Sequence, residues 1–234
     1  MNIRIIHPVV EGAVEDALPA LPDFVCATTE WLDEGPSSIE CRYDEAMCTP
    51  LVLERIRRAA AEGVDGVVVN CFMDPALRAA REMVSIPVAG PGESAMMLAC
   101  LLGRMFSVVL PAASGEPIVE EQAAVYVGRQ RLASVRSVEM PVAGMRDHER
   151  LLPTLVEQGR LAVEEDGADV VILGCTGMGG VSEGFRREFG SLGLGVPVID
   201  PTTAAVSAIV AQVMSGVAHS ERAYALPSWR KAVV

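Results

Sequence analysis

Apolar positions along the chain fall into short unbroken runs, separated by longer stretches in which they recur at helical spacing. Ile3-Arg4-Ile5-Ile6 reads as a buried strand ended by His7-Pro8, and Phe24 to Thr28 as a second strand. Between them, Glu11 to Pro22 is an acidic connection with room for a helical turn, and Glu34-Gly35-Pro36-Ser37-Ser38 is a turn. Cys41 to Met47 is polar enough for a loop over a site. From Pro50 to Ala61, Val52, Ile56 and Ala60 keep helical spacing, and Gly63 stops the helix. Val67-Val68-Val69 is a β-branched run, the pattern of a strand covered on both faces. Asp74-Pro75 has the form of an N-cap followed by proline at the first helical position, which predicts a helix to about Met83. A short strand over Ile86 to Gly90 and a helix from Glu93 to Leu102 follow.

The second half repeats this plan. Phe106 to Leu110 ends at Pro111 as the first strand ends at Pro8. A helix near Ile118 to Gly128 and a strand from Val135 to Pro141 come next. Leu151 to Glu165, Val170 to Leu173 and Gly179 to Phe189 then form a helix–strand–helix unit, and a final helix spans Thr203 to Met214. The tail from Tyr224 to Trp229 reads as irregular, packing back on the body.

Subtraction supports the repeat. Gly63, Asp65 and Cys71 match Gly167, Asp169 and Cys175 at a constant offset of 104, and Leu51-Val52 match Leu155-Val156 at the same offset. Ile86-Pro87-Val88 and Pro91 match Val196-Pro197-Val198 and Pro201 at an offset of 110, the extra residues falling in the glycine-rich stretch Phe189 to Gly195. A blander account, two generic βα units that look alike, leaves the same two halves. The expectation is an α/β protein of two pseudo-symmetric lobes, each a mostly parallel sheet flanked by helices, with the active site between them if the halves face each other. The lobes are read as 1–98 and 99–203. Parallel sheets bind ligands beyond the carboxyl ends of their strands, where Pro8, Cys71, Pro111 and Cys175 all sit. The order of strands is not legible.

Charge and composition narrow the partners. Asp and Glu outnumber Lys and Arg 31 to 19, for a net charge of −12, and no basic cluster is dense enough to track phosphates, so nucleic acid is a poor partner. No leader-like segment and no apolar span of membrane length is present, which leads to the expectation of a cytoplasmic protein without membrane contact. The six cysteines form no disulfide framework and no C-x-x-C, and read as reduced thiols. The three scattered histidines offer no metal-ligand spacing. Cys26, Cys41, Cys48 and Cys100 are assigned to packing, as are Met96, Met97 and Met105.

Cys71 and Cys175 are the candidate catalytic pair. A thiol at a strand end, just before a helix, meets the positive end of the helix dipole and nearby amides, which favours the thiolate. Two such thiols facing each other suit a two-base mechanism. One thiolate takes the proton from a carbon next to a carbonyl, and the other thiol reprotonates the opposite face, with no redox cofactor or metal required. The amides of Phe72-Met73-Asp74 and Thr176-Gly177-Met178-Gly179 are candidates to hold the developing enolate oxygen. His7 ends the first strand where a pocket would open, and Glu93 reads as a helix-terminal acid.

On these motifs the chain resembles the aspartate/glutamate/hydantoin racemase superfamily, and within it the hydantoin and allantoin racemase branch. The resemblance covers nearly the whole chain and is carried by Ser37 to Glu45, Cys71-Phe72-Met73-Asp74-Pro75, Pro87 to Met96 and Leu173-Gly174-Cys175-Thr176-Gly177-Met178. It implies cofactor-independent racemisation by Cys71 and Cys175. It also implies homo-oligomers, and a last helix and tail, 204–234, that cross back to the first lobe. Where relatives carry N-P-N and Thr or Ser, this chain has His7-Pro8-Val9-Val10; the usually Thr-bearing counterpart is Leu110-Pro111-Ala112-Ala113. Substrate contacts are therefore assigned to His7, Pro8, Phe72, Met73, Pro111, Thr176, Gly177 and Met178. A 5-substituted hydantoin or allantoin is the expected small-molecule substrate, with an amino acid or related derivative as the alternative. Malonate decarboxylation, maleate-type isomerisation, and a non-enzymatic ligand-binding or thiol-redox module remain the competing readings.

Overall fold

Parallel pairing organises both halves. The computed structural model describes residues 1–13, 18 and 20–226. In the first lobe, β1 (Asn2–Val10), β2 (Cys26–Leu32), β3 (Gly66–Val69) and β4 (Val88–Ala89) form a sheet in the order β2-β1-β3-β4. In the second, β5 (Phe106–Leu110), β6 (Leu132–Ser137), β7 (Val170–Leu173) and β8 (Val198–Ile199) form a sheet in the order β6-β5-β7-β8. The two orders are the same order, so the repeat seen by subtraction is a repeat of topology. All six strand pairs are parallel.

The conserved offsets have physical causes. Gly63 and Gly167 both end helices at positive φ, +80° and +75°, which only glycine adopts without strain. Asp65 and Asp169 clamp the start of the adjacent strand: Asp65 accepts from the Asn2 amide at 2.6 Å, and Asp169 from the amides of Arg104 and Met105 at 2.9 and 3.1 Å.

Helices cover both faces of each sheet. On the first, Val67 and Val69 pack under α1 (Arg42–Ala61) and α2 (Leu77–Met83), while Val68 faces α7 (Pro201–Met214) through Ala205, Val206 and Ile209. On the second, Val171 and Leu173 pack under α5 (His148–Glu164) and α6 (Ser182–Ser191). Val170 and Ile172 face α3 (Pro91–Leu102) and α4 (Glu116–Tyr126) through Met96, Ala99 and Val119. Thus α3, which follows the first sheet in the chain, covers the second, and α7, which follows the second, covers the first; α3 and α7 also pack on each other. α3 runs unbroken across residues 98 and 99.

Several elements differ from expectation. β1 does not stop at His7-Pro8 but runs to Val10; its register with β2 slips between Ile6 and Val10, and Pro8, which has no N–H to donate, falls in the slip. β2 runs on to Leu32 because Glu30, which breaks the apolar run, is held by Arg4 and Arg55. Cys41 to Met47 is not a loop: α1 begins at Arg42 and carries Pro50 in its interior, the burial of Cys48 and Val52 outweighing the lost hydrogen bond. α2 starts at Leu77 because Asp74 and Ala76 take positive φ, +53° and +64°, and Asp74 is used elsewhere. A 3₁₀ segment, Thr176–Val181, precedes α6. β6 lies earlier than expected because its pairing starts at Phe106 opposite Leu132.

Packing roles also shift. Cys26, Cys41 and Met97 are exposed, whereas Cys48 and Met96 are buried. Part of the Glu11 to Pro22 connection, and the tail from Pro227 onward, lie outside the described residues. Among the described residues, no helix is long and apolar enough to cross a membrane.

Candidate active site

The carboxyl ends of the two sheets open on one cavity, lined by Cys71 from the first lobe and Cys175 from the second. Corresponding hydrogen bonds bring the chain to each thiol. The Asn70 amide donates to the Ile6 carbonyl and the Gly174 amide to the Val109 carbonyl, both at 2.8 Å. Each cysteine is the second residue beyond its strand, and each is half-buried.

Of the expected substrate contacts, Pro8, Phe72, Met73, Pro111, Thr176 and Gly177 line this cavity with the two cysteines. His7 and Met178 are not among the lining residues. His7 is buried and stacked on Trp31, ring centroids 3.8 Å apart, because a residue inside a continuing strand points into the lobe rather than out of its end. Met178 is buried in the core under α5 and α6. Glu93 does more than face a helix dipole: it pairs with the buried Arg81, whose guanidinium also donates to the Val88 carbonyl at 3.1 and 3.0 Å.

Asn70, Glu40, Ser38 and Ser114 also line the cavity; none is assigned a site role from sequence, although Ser38 and Glu40 fall in the Ser37 to Glu45 segment that carries the resemblance. Asn70 is a bridge. Its backbone carbonyl accepts from the Thr176 hydroxyl at 3.2 Å and its side-chain oxygen from the Thr202 hydroxyl at 2.9 Å, so the approach to Cys71 is tied to the turn after Cys175 and to α7. Its position next to Cys71 was a usable signal. Glu40 arrives from the loop before α1, and its Oε1 accepts from the Val142 amide of the second lobe at 3.3 Å. Val142 carries no sequence signal, since a generic apolar residue becomes a pocket wall only through tertiary approach.

The thiols do not have the lowered pKa expected from their positions. Burial pushes the Cys175 thiol up to about 11, against hydrogen bonds from the Gly177 and Met178 amides that pull it down, with Glu40 adding to the rise. Burial raises Cys71 well above its ordinary value, opposed by the Met73 amide and reinforced by Cys175, Cys48 and Asp74. Desolvation therefore outweighs the local amides. Of the amides after each cysteine, those of Asp74 and Met178 donate to the Cys71 and Cys175 carbonyls at 3.0 and 3.1 Å. A helix-dipole contribution is also weak at Cys71, since α2 begins only at Leu77. Either sulfur, once ionised, would be a strong base in a cavity that the other thiol also lines, an arrangement chemically able to take up one proton and release another.

The cavity is otherwise apolar, walled by Val9, Ile39, Leu110, Val119 and Val142, and none of its described lining residues is Lys, Arg or His. Among the described residues, no group of three or more His, Cys, Asp or Glu is placed to hold a metal ion.

Comparison with known proteins agrees with this geometry. The family model described as Asp/Glu/Hydantoin racemase matches residues 5–209. A hydantoin racemase of Rhizobium meliloti is 35% identical over 234 residues, covering 97% of this chain and 95% of its own. A hydantoin racemase of Pseudomonas sp. (strain NS671) is 36% identical over 215 residues, covering 88% of this chain and 83% of its own. The solved structure of allantoin racemase from Klebsiella pneumoniae superposes with a TM-score of 0.86 at 32% identity, covering 97% of this chain and 94% of that one. With the match spanning both sheets and both thiol-bearing turns, the chain belongs to the Asp/Glu/hydantoin racemase family and is a racemase.

Proposed function

We infer that the protein racemises a cyclic ureide, a 5-substituted hydantoin or allantoin, with Cys71 and Cys175 as the acid/base pair. The observation that carries this reading is that two repeat-related thiols, one from each lobe, line a single cavity. One sulfur, as thiolate, takes the hydrogen on C5 of the ring as a proton. The electron pair delocalises onto the adjacent carbonyl, and the other thiol delivers its proton to the opposite face. The reverse reaction exchanges the roles, so the step is balanced without cofactor. A cavity whose described lining is mostly apolar and carries no Lys, Arg or His favours a neutral ring over an amino-acid zwitterion or a malonate dianion. The similar proteins named as hydantoin and allantoin racemases point to the same substrate class. The reading includes a homo-oligomeric cytoplasmic protein, with the oligomer checked by sedimentation.

Optically pure 5-substituted hydantoins in deuterated water provide the test. Loss of rotation with deuterium incorporation at C5 is expected, and turnover without incorporation would remove the mechanism. Because both thiols titrate above neutrality, kcat/KM should rise from pH 7 to pH 10 as the basic sulfur loses its proton. A flat profile over that range would contradict thiolate chemistry.

A further inference from the structure

We propose that Glu40 determines specificity in this site, accepting a ring N–H of a neutral ureide and repelling ligands that carry a carboxylate. The proposal rests on the racemase reading above and extends it to one residue and one discrimination. Glu40 carries the only carboxylate among the described residues lining the cavity. Its Oε1 is anchored by the Val142 amide, which fixes the group across the lobe boundary. Its Oε2 makes no hydrogen bond with the described residues and remains available as an acceptor. None of the described lining residues carries a positive charge.

A cyclic ureide offers N–H donors and no formal charge, so it satisfies this acceptor. The corresponding ring-opened N-carbamoyl amino acid has the same side chain and the same ureido donors, but adds a carboxylate. In a cavity walled mostly by apolar side chains, two carboxylates repel with little screening. The discrimination therefore separates the closed ring from its own hydrolysis product, and limits occupation of the site by that product as it accumulates.

Calorimetric titration of the wild type and of Glu40→Gln, with a 5-alkylhydantoin, its N-methylated forms and the matching N-carbamoyl amino acid, tests this without relying on turnover. The wild type should bind the unmethylated ring best and the carboxylate weakly. Glu40→Gln should bind the ring about 10-fold more weakly, from loss of a charge-assisted hydrogen bond. The same variant should bind the carboxylate at least about 10-fold more tightly, as the repulsion is removed. Glu40→Asp keeps the charge and should still reject the carboxylate. Equal preference for ring over carboxylate in the wild type and Glu40→Gln would overturn the proposal, as would equal tolerance of N-methylation. Polarimetry on the same wild-type preparation separates the two readings. Binding with the expected preferences but no racemisation would sink the racemase mechanism and leave the role of Glu40 standing.

Discussion

The turns after Cys71 and Cys175 begin from the same strand geometry and then diverge. After Cys175 the chain takes a glycine-bearing 3₁₀ turn, and the Gly177 and Met178 amides both favour the thiolate, the latter while donating to the Cys175 carbonyl at 3.1 Å. After Cys71 only the Met73 amide favours the thiolate, and the turn carries a buried acid, Asp74, at positive φ. The helix caps explain the difference. α7 is capped by its own Asp200, which accepts from the Thr203 amide at 2.8 Å. The corresponding residue before α3 is Gly90, and the cap comes from Asp74, which accepts from the Gly92 and Glu93 amides at 2.9 and 2.7 Å. A side chain at Gly90 would strike that carboxylate, since a Cβ there would lie 2.2 Å from Asp74 Oδ1. The Cys71 turn is thereby fastened to α3, the helix that packs on the second sheet. The Cys71 turn is thus held through a helix that covers the opposite sheet, whereas the Cys175 turn reaches the other lobe through the Thr176 hydroxyl on the Asn70 carbonyl.

The residues preceding the thiols show the same asymmetry. Gly174 sits where a Cβ would come within 2.6–2.8 Å of Leu110, Val108 and the Val109 carbonyl, so no side chain fits. Asn70, its counterpart, has room for one and uses it to reach Thr202.

The sharpest way to break the comparison is to remove each thiol. Cys71→Ala and Cys175→Ala should each lower racemisation by on the order of 10²–10⁴-fold. Exchange of the C5 hydrogen with solvent should survive for one enantiomer in the first variant and for the opposite enantiomer in the second. Survival for the same enantiomer in both would show that the thiols do not face opposite sides of the substrate.

Asp74 comes next. Burial raises its carboxyl to about 7, against the two capping amides that pull it down. A carboxyl raised on folding binds a proton more tightly in the folded state, so its stabilising contribution is complete below about pH 4 and is lost as pH rises through about 7. Between pH 4 and pH 7 the wild type should lose on the order of 3 kcal/mol relative to Asp74→Asn. Urea midpoints of the two proteins across that range check it, and parallel curves would show that Asp74 does not titrate there.

Gly174→Ala should cost about 1–3 kcal/mol through overpacking at the end of β7. Thermal melts should show that loss, and an unchanged Tm would mean the second lobe yields at its strand end more readily than its packing indicates. The smallest effect belongs to the cap that stays within its own helix. Asp200→Ala should lower stability by about 0.5–2 kcal/mol with little effect on KM, whereas Asp74→Ala should lose a cap and also disturb racemisation through the Cys71 turn. Equal kinetic consequences from the two cap deletions would dissolve the proposed difference in how the thiols are placed.

Much of this was legible in local patterns. The β-branched run 67–69, the helix stops at Gly63 and Gly167, and the strand-end positions of Cys71 and Cys175 depend on neighbouring residues, and periodicity reports them well. Reading failed where a local motif was overruled by a distant partner. Asp74-Pro75 has the form of a helix start, yet the carboxylate is drawn to amides 18 and 19 residues away. His7-Pro8 has the form of a strand end, yet β2 carries the strand past it in a shifted register.

By itself the sequence determined the repeat, and with it two sheets of one design and a thiol at the same point in each, because those features follow from short-range spacing and backbone preference. Tertiary structure alone decided the strand order, the passage of α3 onto the second sheet, and the arrival of Glu40 in the cavity. It also decided the direction in which the thiols are tuned. A strand-end position favours the thiolate, but desolvation is set by everything packed around the sulfur, and that is a property of the assembled lobes.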